Sequence, residues 1–419
     1  MKWKLIYPFW RKLERQTRFN LPPHGPIVFA AALPPEVEIE FVDANVSELR
    51  LDDSPDLVCL SIMLTAQLPE AFRIAAAYRS RGIPVLAGGI AVMLHDEQVR
   101  PHVTSVFLGE VEGRMQEVLA DHKQGKLKPV YDYLTRHPDI RLVGTARRSI
   151  LDRDAYVYRK IKMLDLVHAS RGCRFKCFPC CTGYLGGSVF RPRPLDRVLE
   201  EIASIDNERL FIVDNSLAQD RQWEEDLFRA MIPLNKKWVS HPIEEDDRLL
   251  DLAYKAGCWY VYQAVFDTSA KIRQRIQRYH DHGIRVEATV ILGIDDHDAD
   301  AIKKLVDFLL QVDVDLAEFT IMTPFAHSPI RSKLQAEGRI LSDRFEDYTC
   351  DRVVFKPLKM TPEQLQEMYY YAWDTFYAPL SQELKMGNLF WQVMKRERAE
   401  IKNRQLAADG ENPAPASKP

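Results

Sequence analysis

Cys173, Cys177 and Cys180 stand in the run Cys-Arg-Phe-Lys-Cys-Phe-Pro-Cys, spaced C-x3-C-x2-C directly after the strand-like segment Leu166–Ser170. Three thiolates can bind three irons of a cubane cluster and leave the fourth iron without a protein ligand. An open metal position is where chemistry takes place, whereas a closed four-ligand site is usually structural. The residues also allow a structural zinc site, with Cys181 or a histidine such as His168 as fourth ligand. Because Cys181 follows Cys180 at once, a Cys173, Cys177 and Cys181 set is available too. Arg171, Arg174 and Lys176 crowd the three thiols with positive charge, which favours thiolates.

The elements that must position these cysteines form two α/β patterns in series. From residue 1 to about 140, strands are expected at Leu5–Tyr7, Ile39–Asp43, Leu57–Met63, Pro84–Gly89 and Val106–Gly109, with a helix over Pro69–Arg81 that Gly82 ends. Nearly continuous apolar strands with helices between them predict a parallel sheet covered on both faces. Ligands of such sheets sit at the carboxyl ends of the strands. Those ends here carry Ser61 to Gln67, Gly88-Gly89 and Gly109-Glu-Val-Glu-Gly113.

The second series starts at Leu166. Its strands are expected at Leu166–Ser170, Leu210–Asp214, Trp238–Ser240, Trp259–Phe266, Val286–Gly293 and Ala317–Met322. Helices fall between them at Leu195–Ile205, Gln222–Met231, Asp247–Lys255, Ala270–His282 and Ala299–Val312. Six strand–helix units make a partial barrel, with the cysteines in the loop after its first strand. Beyond about 325 the pattern turns mainly helical. Thr361-Pro-Glu-Gln starts one helix with a capping threonine and a proline at the first helical position. That helix carries the aromatic run Met368-Tyr-Tyr-Tyr-Ala-Trp373 and Phe376-Tyr377, which either packs it onto the barrel or closes an apolar substrate chamber. The resulting domain plan is 1–140, a linker at 141–164, a core at 165–325, a helical region at 326–403 and a polar, Pro-rich disordered tail at 404–419.

With 46% hydrophobic and 28% charged residues the composition is that of a globular protein with sizeable cores. A net charge of −3 without a basic block excludes nucleic acid as the expected partner. No apolar run approaches the ~20 residues of a membrane span, and no signal-peptide pattern opens the chain. Seven cysteines, three of them clustered, do not form a secreted disulfide framework, so a reducing, cytoplasmic setting is expected.

Taken together, the chain resembles the radical S-adenosylmethionine (SAM) proteins with an N-terminal cobalamin-binding (B12-binding) domain, in a subgroup that includes hopanoid-modifying enzymes. The resemblance rests on the cysteine motif after the first of six strand–helix units and on Gly82–Gly89 followed by Val106–Gly113. Leu292-Gly-Ile-Asp-Asp296, Glu337–Leu341 and Val353–Pro362 extend it, so that it covers nearly all of the chain except the tail. It implies a Rossmann-like B12-binding domain, a (β/α)6 radical SAM core and a helical C-terminal region. It also implies a 4Fe-4S cluster on Cys173, Cys177 and Cys180, SAM, and cobalamin. The expected reaction is methylation of an unactivated carbon in a small-molecule substrate of apolar or polycyclic kind, with an electron donor such as flavodoxin or ferredoxin. Two alternatives remain open. One is a radical cyclisation, rearrangement or coupling that leaves cobalamin unused; the other is a non-catalytic iron–sulfur or zinc protein.

Candidate SAM contacts are Asp214 and Asn215 at the end of the second core strand, Asp267 after the fourth, and Gly293 after the fifth, where a flat base can approach the backbone. Ser61, Thr65, Gly88, Gly89, Gly109 and Glu110 are the candidate cobalamin contacts; the glycines are expected to clear room for a bulky ligand. The sequence departs from the family at four places. Pro179, not an aromatic residue, precedes the third cysteine, and the first domain has no Asp-x-His-x-x-Gly motif. The loop between Phe266 and Ala270 is short, and Pro324–Pro329 replaces the usual Pro-Gly-Thr-Pro turn. His95 reads as a surface histidine, Cys59 as packed core, and Cys258 and Cys350 carry no assigned role.

Overall fold

A computed structural model describes residues 1–15 and 19–408. By its internal packing the chain divides into two compact units, one of 1–215 with 323–356, the other of 216–322 with the residues from 357 onward.

The first unit opens with β1 (Lys2–Tyr7), α1 (His24–Ala31), β2 (Glu38–Asp43), β3 (Leu57–Ser61) and α2 (Leu68–Arg79). There follow β4 (Val85–Gly88), α3 (Ile90–Leu94), α4 (Asp96–Val99), β5 (Ser105–Leu108), α5 (Met115–Lys123) and β6 (Val130–Asp132). The six strands make one parallel sheet in the order β2-β1-β3-β4-β5-β6. Alternate residues of β3 serve opposite faces: Val58 and Leu60 pack with Leu68, Ala71, Ile74 and Tyr78 of α2, while Leu57 and Cys59 pack with Met115, Val118 and Leu119 of α5. That two-sided burial is why these strands read as unbroken apolar runs. The order reverses between β1 and β3, and a crevice at the carboxyl ends beside such a switch point is the expected ligand site of a doubly wound sheet.

α1 and β6 are absent from the sequence-based expectation. Pro23 and Pro26 flank His24-Gly25 and suggest a loop, yet Pro26 falls in the first turn of α1, where its missing N–H leaves no bond unmade. β6 is three residues long, too short for a periodic signal.

After β6 come short 3-10 turns and an antiparallel pair, β7 (Val157–Tyr158) and β8 (Ile161–Lys162). Ala146, Leu151 and Tyr156 of this stretch are buried against Ile27 of α1. The second series then begins with β9 (Asp165–Val167) and the loop closed at its base by β10 (Ser170–Arg171) and β11 (Arg191–Pro192). That loop contains the short helix α6 (Thr182–Gly186); α7 (Leu195–Ala203) follows it, and β12 (Arg209–Ile212) pairs in parallel with β9.

The second unit carries α8 (Arg221–Met231), β13 (Lys237–Ser240), α9 (Asp247–Lys255), β14 (Cys258–Ala264), α10 (Ala270–Asp281), β15 (Arg285–Leu292), α11 (Ala299–Gln311) and β16 (Leu316–Ile321). Its strands are parallel in the order β16-β15-β14-β13. Along β15, buried Val286, Ala288, Val290 and Leu292 alternate with partly accessible Arg285, Glu287, Thr289 and Ile291, the pattern of a sheet with helices outside and an open lumen inside. The fold is α/β: a Rossmann-like N-terminal sheet, six strand–helix repeats of a partial (β/α)6 barrel, and a helical C-terminal region.

α12 (Pro329–Ala336) belongs to the first unit, and α13 (Pro362–Tyr377) and α14 (Gln382–Ala408) to the second. Thr361 and Gln364 form a capping box at the start of α13. The aromatic run of α13 packs onto β16: the Trp373 indole N–H donates to the Phe319 carbonyl at 3.2 Å, and the Tyr377 hydroxyl donates to the Ala317 carbonyl at 2.8 Å. Residues 404–408, expected in the tail, are the last turn of α14, and 409–419 lie outside the described residues. Among the described residues no helix is long and apolar enough to cross a membrane.

Candidate active site

A cavity of about 430 Å³ lies wholly within the first unit. Its walls combine Ser61, Gly88, Gly89, Gly109 and Glu110 from the sheet ends with His168, Ser170, Asp214 and Asn215 from the ends of β9 and β12. Gly25 and Phe29 of α1 cover one side, and Gly172 and Thr182 of the cysteine loop border it. Candidates for both organic cofactors therefore share one cavity. Its volume and mostly apolar lining are those of a small-molecule pocket.

Other candidates lie elsewhere. Thr65 is buried, with its hydroxyl 3.2 Å from Nε2 of His95. His95, read as a surface side chain, is half-buried, and burial with the charge of Arg331 lowers its pKa to about 4. Asp267 and Gly293 belong to the second unit. Asp267 is exposed and accepts the Ser269 N–H at 2.8 Å, a local turn; Gly293 is buried with φ +87°.

Two glycines are needed for a reason other than the one expected. Gly89 has φ +106°, and a Cβ there would stand 2.9 Å from the Ile62 nitrogen. At Gly109, φ is +102° and a Cβ would stand 2.6 Å from the Tyr133 carbonyl oxygen. Both spend their missing side chain on a left-handed turn against neighbouring backbone, not on clearing the cavity.

The polar floor is built from charged pairs. Arg171 Nη1 donates to Glu110 and to Glu112, each at 2.9 Å, and Nη2 to Glu112 at 2.5 Å. Arg191 Nη1 donates to Glu110 at 3.1 Å. Burial works to raise the Glu110 pKa, but the hydrogen bonds and charges of Arg191 and Arg171 overcome it and hold it below the usual carboxylate range. Arg171, expected to lend charge to the thiols, is thus neutralised by two carboxylates.

Arg171 Nε–H also donates to Nε2 of His168 at 3.3 Å, which leaves His168 Nδ1–H to donate to His24 Nε2 at 2.8 Å. Burial first, then the surrounding arginines, keep both rings neutral, His24 at about 3. With both ring nitrogens engaged, His168 is not a fourth ligand for a zinc ion.

Asp214 accepts the Ala169 N–H at 2.7 Å and the Ser170 hydroxyl. Burial pushes its pKa up to about 6 against those hydrogen bonds. An Asp at that value, facing a cavity, is ready to ionise against a cationic group.

Cys173 is buried; Cys177 and Cys180 are exposed. Gly187 accepts the Cys173 N–H at 3.1 Å, and Cys177 accepts the Cys180 N–H at 2.9 Å, so the loop backbone is closed by its own bonds. Burial and the neighbouring Cys180 and Cys177 raise the Cys173 thiol. Cys181 is half-buried at the start of α6, where its carbonyl takes the Tyr184 N–H at 3.0 Å. Among the described residues no three His, Cys, Asp or Glu side chains converge closely enough to hold a metal as they stand. The loop nonetheless carries four thiols, Cys173, Cys177, Cys180 and Cys181; with His168 unavailable, three of them suit a cluster with one open iron, and a closed zinc site would need Cys181 as its fourth ligand.

The His24–His168 pair and the arginine–carboxylate floor escaped the sequence reading. Gly109-Glu-Val-Glu-Gly113 did signal part of it, but as a cofactor contact; its arginine partners lie 59 to 81 residues further along the chain and share no local pattern with it.

A doubly wound sheet followed by six strand–helix repeats, with three cysteines in the loop after the first repeat strand, defines the radical SAM proteins with an N-terminal B12-type domain. The chain is similar to members of that family. It is 24% identical to bacteriochlorophyllide d C-12(1)-methyltransferase of Chlorobaculum tepidum, across 88% of this chain and 85% of that protein. It is 21% identical to hopanoid C-2 methylase of Rhodopseudomonas palustris, across 79% and 67%. The radical SAM methyltransferase TsrM of Kitasatospora setae, solved with tryptophan and a SAM analogue, has the same fold at a TM-score of 0.69 and 16% identity, across 91% of this chain and 90% of that one. No family model matches.

Proposed function

We propose that this protein is a radical SAM methyltransferase that uses cobalamin to methylate an unactivated carbon of a small, largely apolar substrate. One observation carries the reading. Ser61, Gly88 and Gly109, from the sheet ends, and Ser170, Asp214 and Asn215, from the strands flanking the cysteine loop, open into a single cavity. Methyl transfer needs its two cofactors to meet, and a shared cavity supports that.

The assignment gives Cys173, Cys177 and Cys180 to a 4Fe-4S cluster, Asp214 and Asn215 to SAM, and Ser61, Gly88 and Gly109 at the sheet ends to the corrinoid. Bound there, these groups supply radical chemistry and the transferable methyl group. The chain's own work is placement. Asp214 offers a carboxylate to the SAM ammonium, and Ser170 and the Ala169 N–H hold that carboxylate in one orientation. The apolar walls, Leu60, Leu86 and Phe107 among them, keep water from the reacting groups. A reducing cytoplasm and a small electron-transfer protein as donor complete the proposal.

Anaerobic purification, reconstitution with hydroxocobalamin and counting of iron, sulfide and cobalt test it, followed by incubation with SAM and dithionite. The reading requires iron, cobalt and formation of both 5′-deoxyadenosine and S-adenosylhomocysteine. Iron and 5′-deoxyadenosine without cobalt would move the assignment to a non-methylating radical enzyme, and zinc without SAM cleavage would end it.

A further inference from the structure

We infer that Glu110 is a positioning residue for the cysteine loop, a single carboxylate that holds both stems of the loop at once. The inference rests on the reading of Cys173, Cys177 and Cys180 as cluster ligands. It reassigns Glu110 from corrinoid contact to loop clamp.

The loop enters at Arg171 and leaves at Arg191, which face each other across the β10–β11 pair. Glu110, just past β5, accepts from both guanidiniums, at 2.9 Å from Arg171 and 3.1 Å from Arg191. Its other oxygen lies 3.5 Å from Nδ1 of His137. The His137 ring stands behind the loop, where a Cβ on Gly187 would come within 2.5 Å of Nε2. Gly187 in turn accepts the Cys173 N–H at 3.1 Å, and Arg191 donates to the Gly186 carbonyl at 3.1 Å. A continuous path of contacts therefore runs from Glu110 through Arg191 and His137 to the Gly186-Gly187 backbone and the amide of Cys173. Glu112 is bonded to the entry stem, through Arg171. Taking away one member of a buried, hydrogen-bonded charge pair costs far more than the pair itself contributes, because the remaining charge is stranded.

Glu110→Gln keeps the shape and removes the charge. Hydrogen–deuterium exchange of the peptides spanning 170–191, in protein without cluster, should quicken by about tenfold or more. Unchanged exchange overturns the inference. In reconstituted protein, the electron paramagnetic resonance spectrum of the reduced cluster should change, along with its response to SAM, while cobalamin uptake stays as in the wild type. Lost cobalamin uptake with an unaltered cluster spectrum would instead make Glu110 a cofactor contact. Should Glu110→Gln fail to fold, Glu112→Gln decides: exchange should quicken at 170–173 and remain slow at 189–191, and equal loosening of both stems would overturn the clamp. A wild-type protein that takes up no cluster would defeat the functional reading but leave the exchange experiment to judge the clamp alone.

Discussion

Asp214 gives the cavity a pH dependence whose sign can be worked out. Its folded pKa, about 6, is above the ordinary carboxylate value, so the folded chain binds its proton more tightly than the unfolded one. Its contribution to stability is greatest below pH 4 and is lost as pH rises through 6, whereas its capacity to hold an ammonium appears over the same interval. SAM binding to reconstituted protein should therefore weaken as pH falls through about 6. Asp214→Asn should flatten that profile and bind weakly at all pH values, by anaerobic calorimetry; a variant that keeps the wild-type profile removes Asp214 from the SAM site. Glu224 behaves similarly without a ligand. Burial raises its pKa to about 7 against the Glu244 N–H, which donates to it at 3.1 Å, and the charge of Arg221. Its ionisation costs stability as pH climbs from the carboxylate range through 7. Glu224→Gln should thus gain about 3 kcal/mol in urea unfolding at pH 8 and almost nothing at pH 4, from a shift of this size.

At the level of elements, what the sequence revealed and what it hid have physical causes. β3, β4, β5, β13, β14, β15 and β16 were legible because each is an apolar run buried on at least one face. The capping box of α13 was legible because threonine, proline and glutamine stand at the positions a helix start demands. Thr361→Ala should cost about 1 kcal/mol, read as a lower urea midpoint with unchanged slope. β9 and β12 end earlier than the apolar pattern suggests, at Val167 and Ile212, because the residues after them turn to build the cavity. Of the candidate site, the cysteine loop and the strand end that brings Asp214 to the cavity were legible from spacing and apolar runs. The His24–His168 pair could not, since its members are 144 residues apart and each is an isolated histidine in the sequence.

For the whole molecule, the cluster and the corrinoid are proposed to be held by different parts of the chain, and single substitutions should separate them. Cys173→Ala, Cys177→Ala and Cys180→Ala should each abolish SAM cleavage and most bound iron while cobalt uptake persists. Cys181→Ala should retain iron, and loss of iron in that variant alone with retention in Cys180→Ala would exchange the two ligands. Colorimetric iron and absorbance of the corrinoid read both in one preparation.

The arc of residues 172–190 departs and returns through the two adjacent rungs of β10 and β11. Between them Arg174 and Lys176 are exposed, and Phe175 and Phe178 expose their rings beside them. A metal that bound Cys173, Cys177 and Cys180 would cinch the arc on either side of these two basic residues, and metal-binding energy would there become folding energy. Trypsin should consequently nick the apoprotein between Arg174 and Cys177 and spare the loaded enzyme, so that a protease that knows nothing of redox chemistry reports how full the cluster site is.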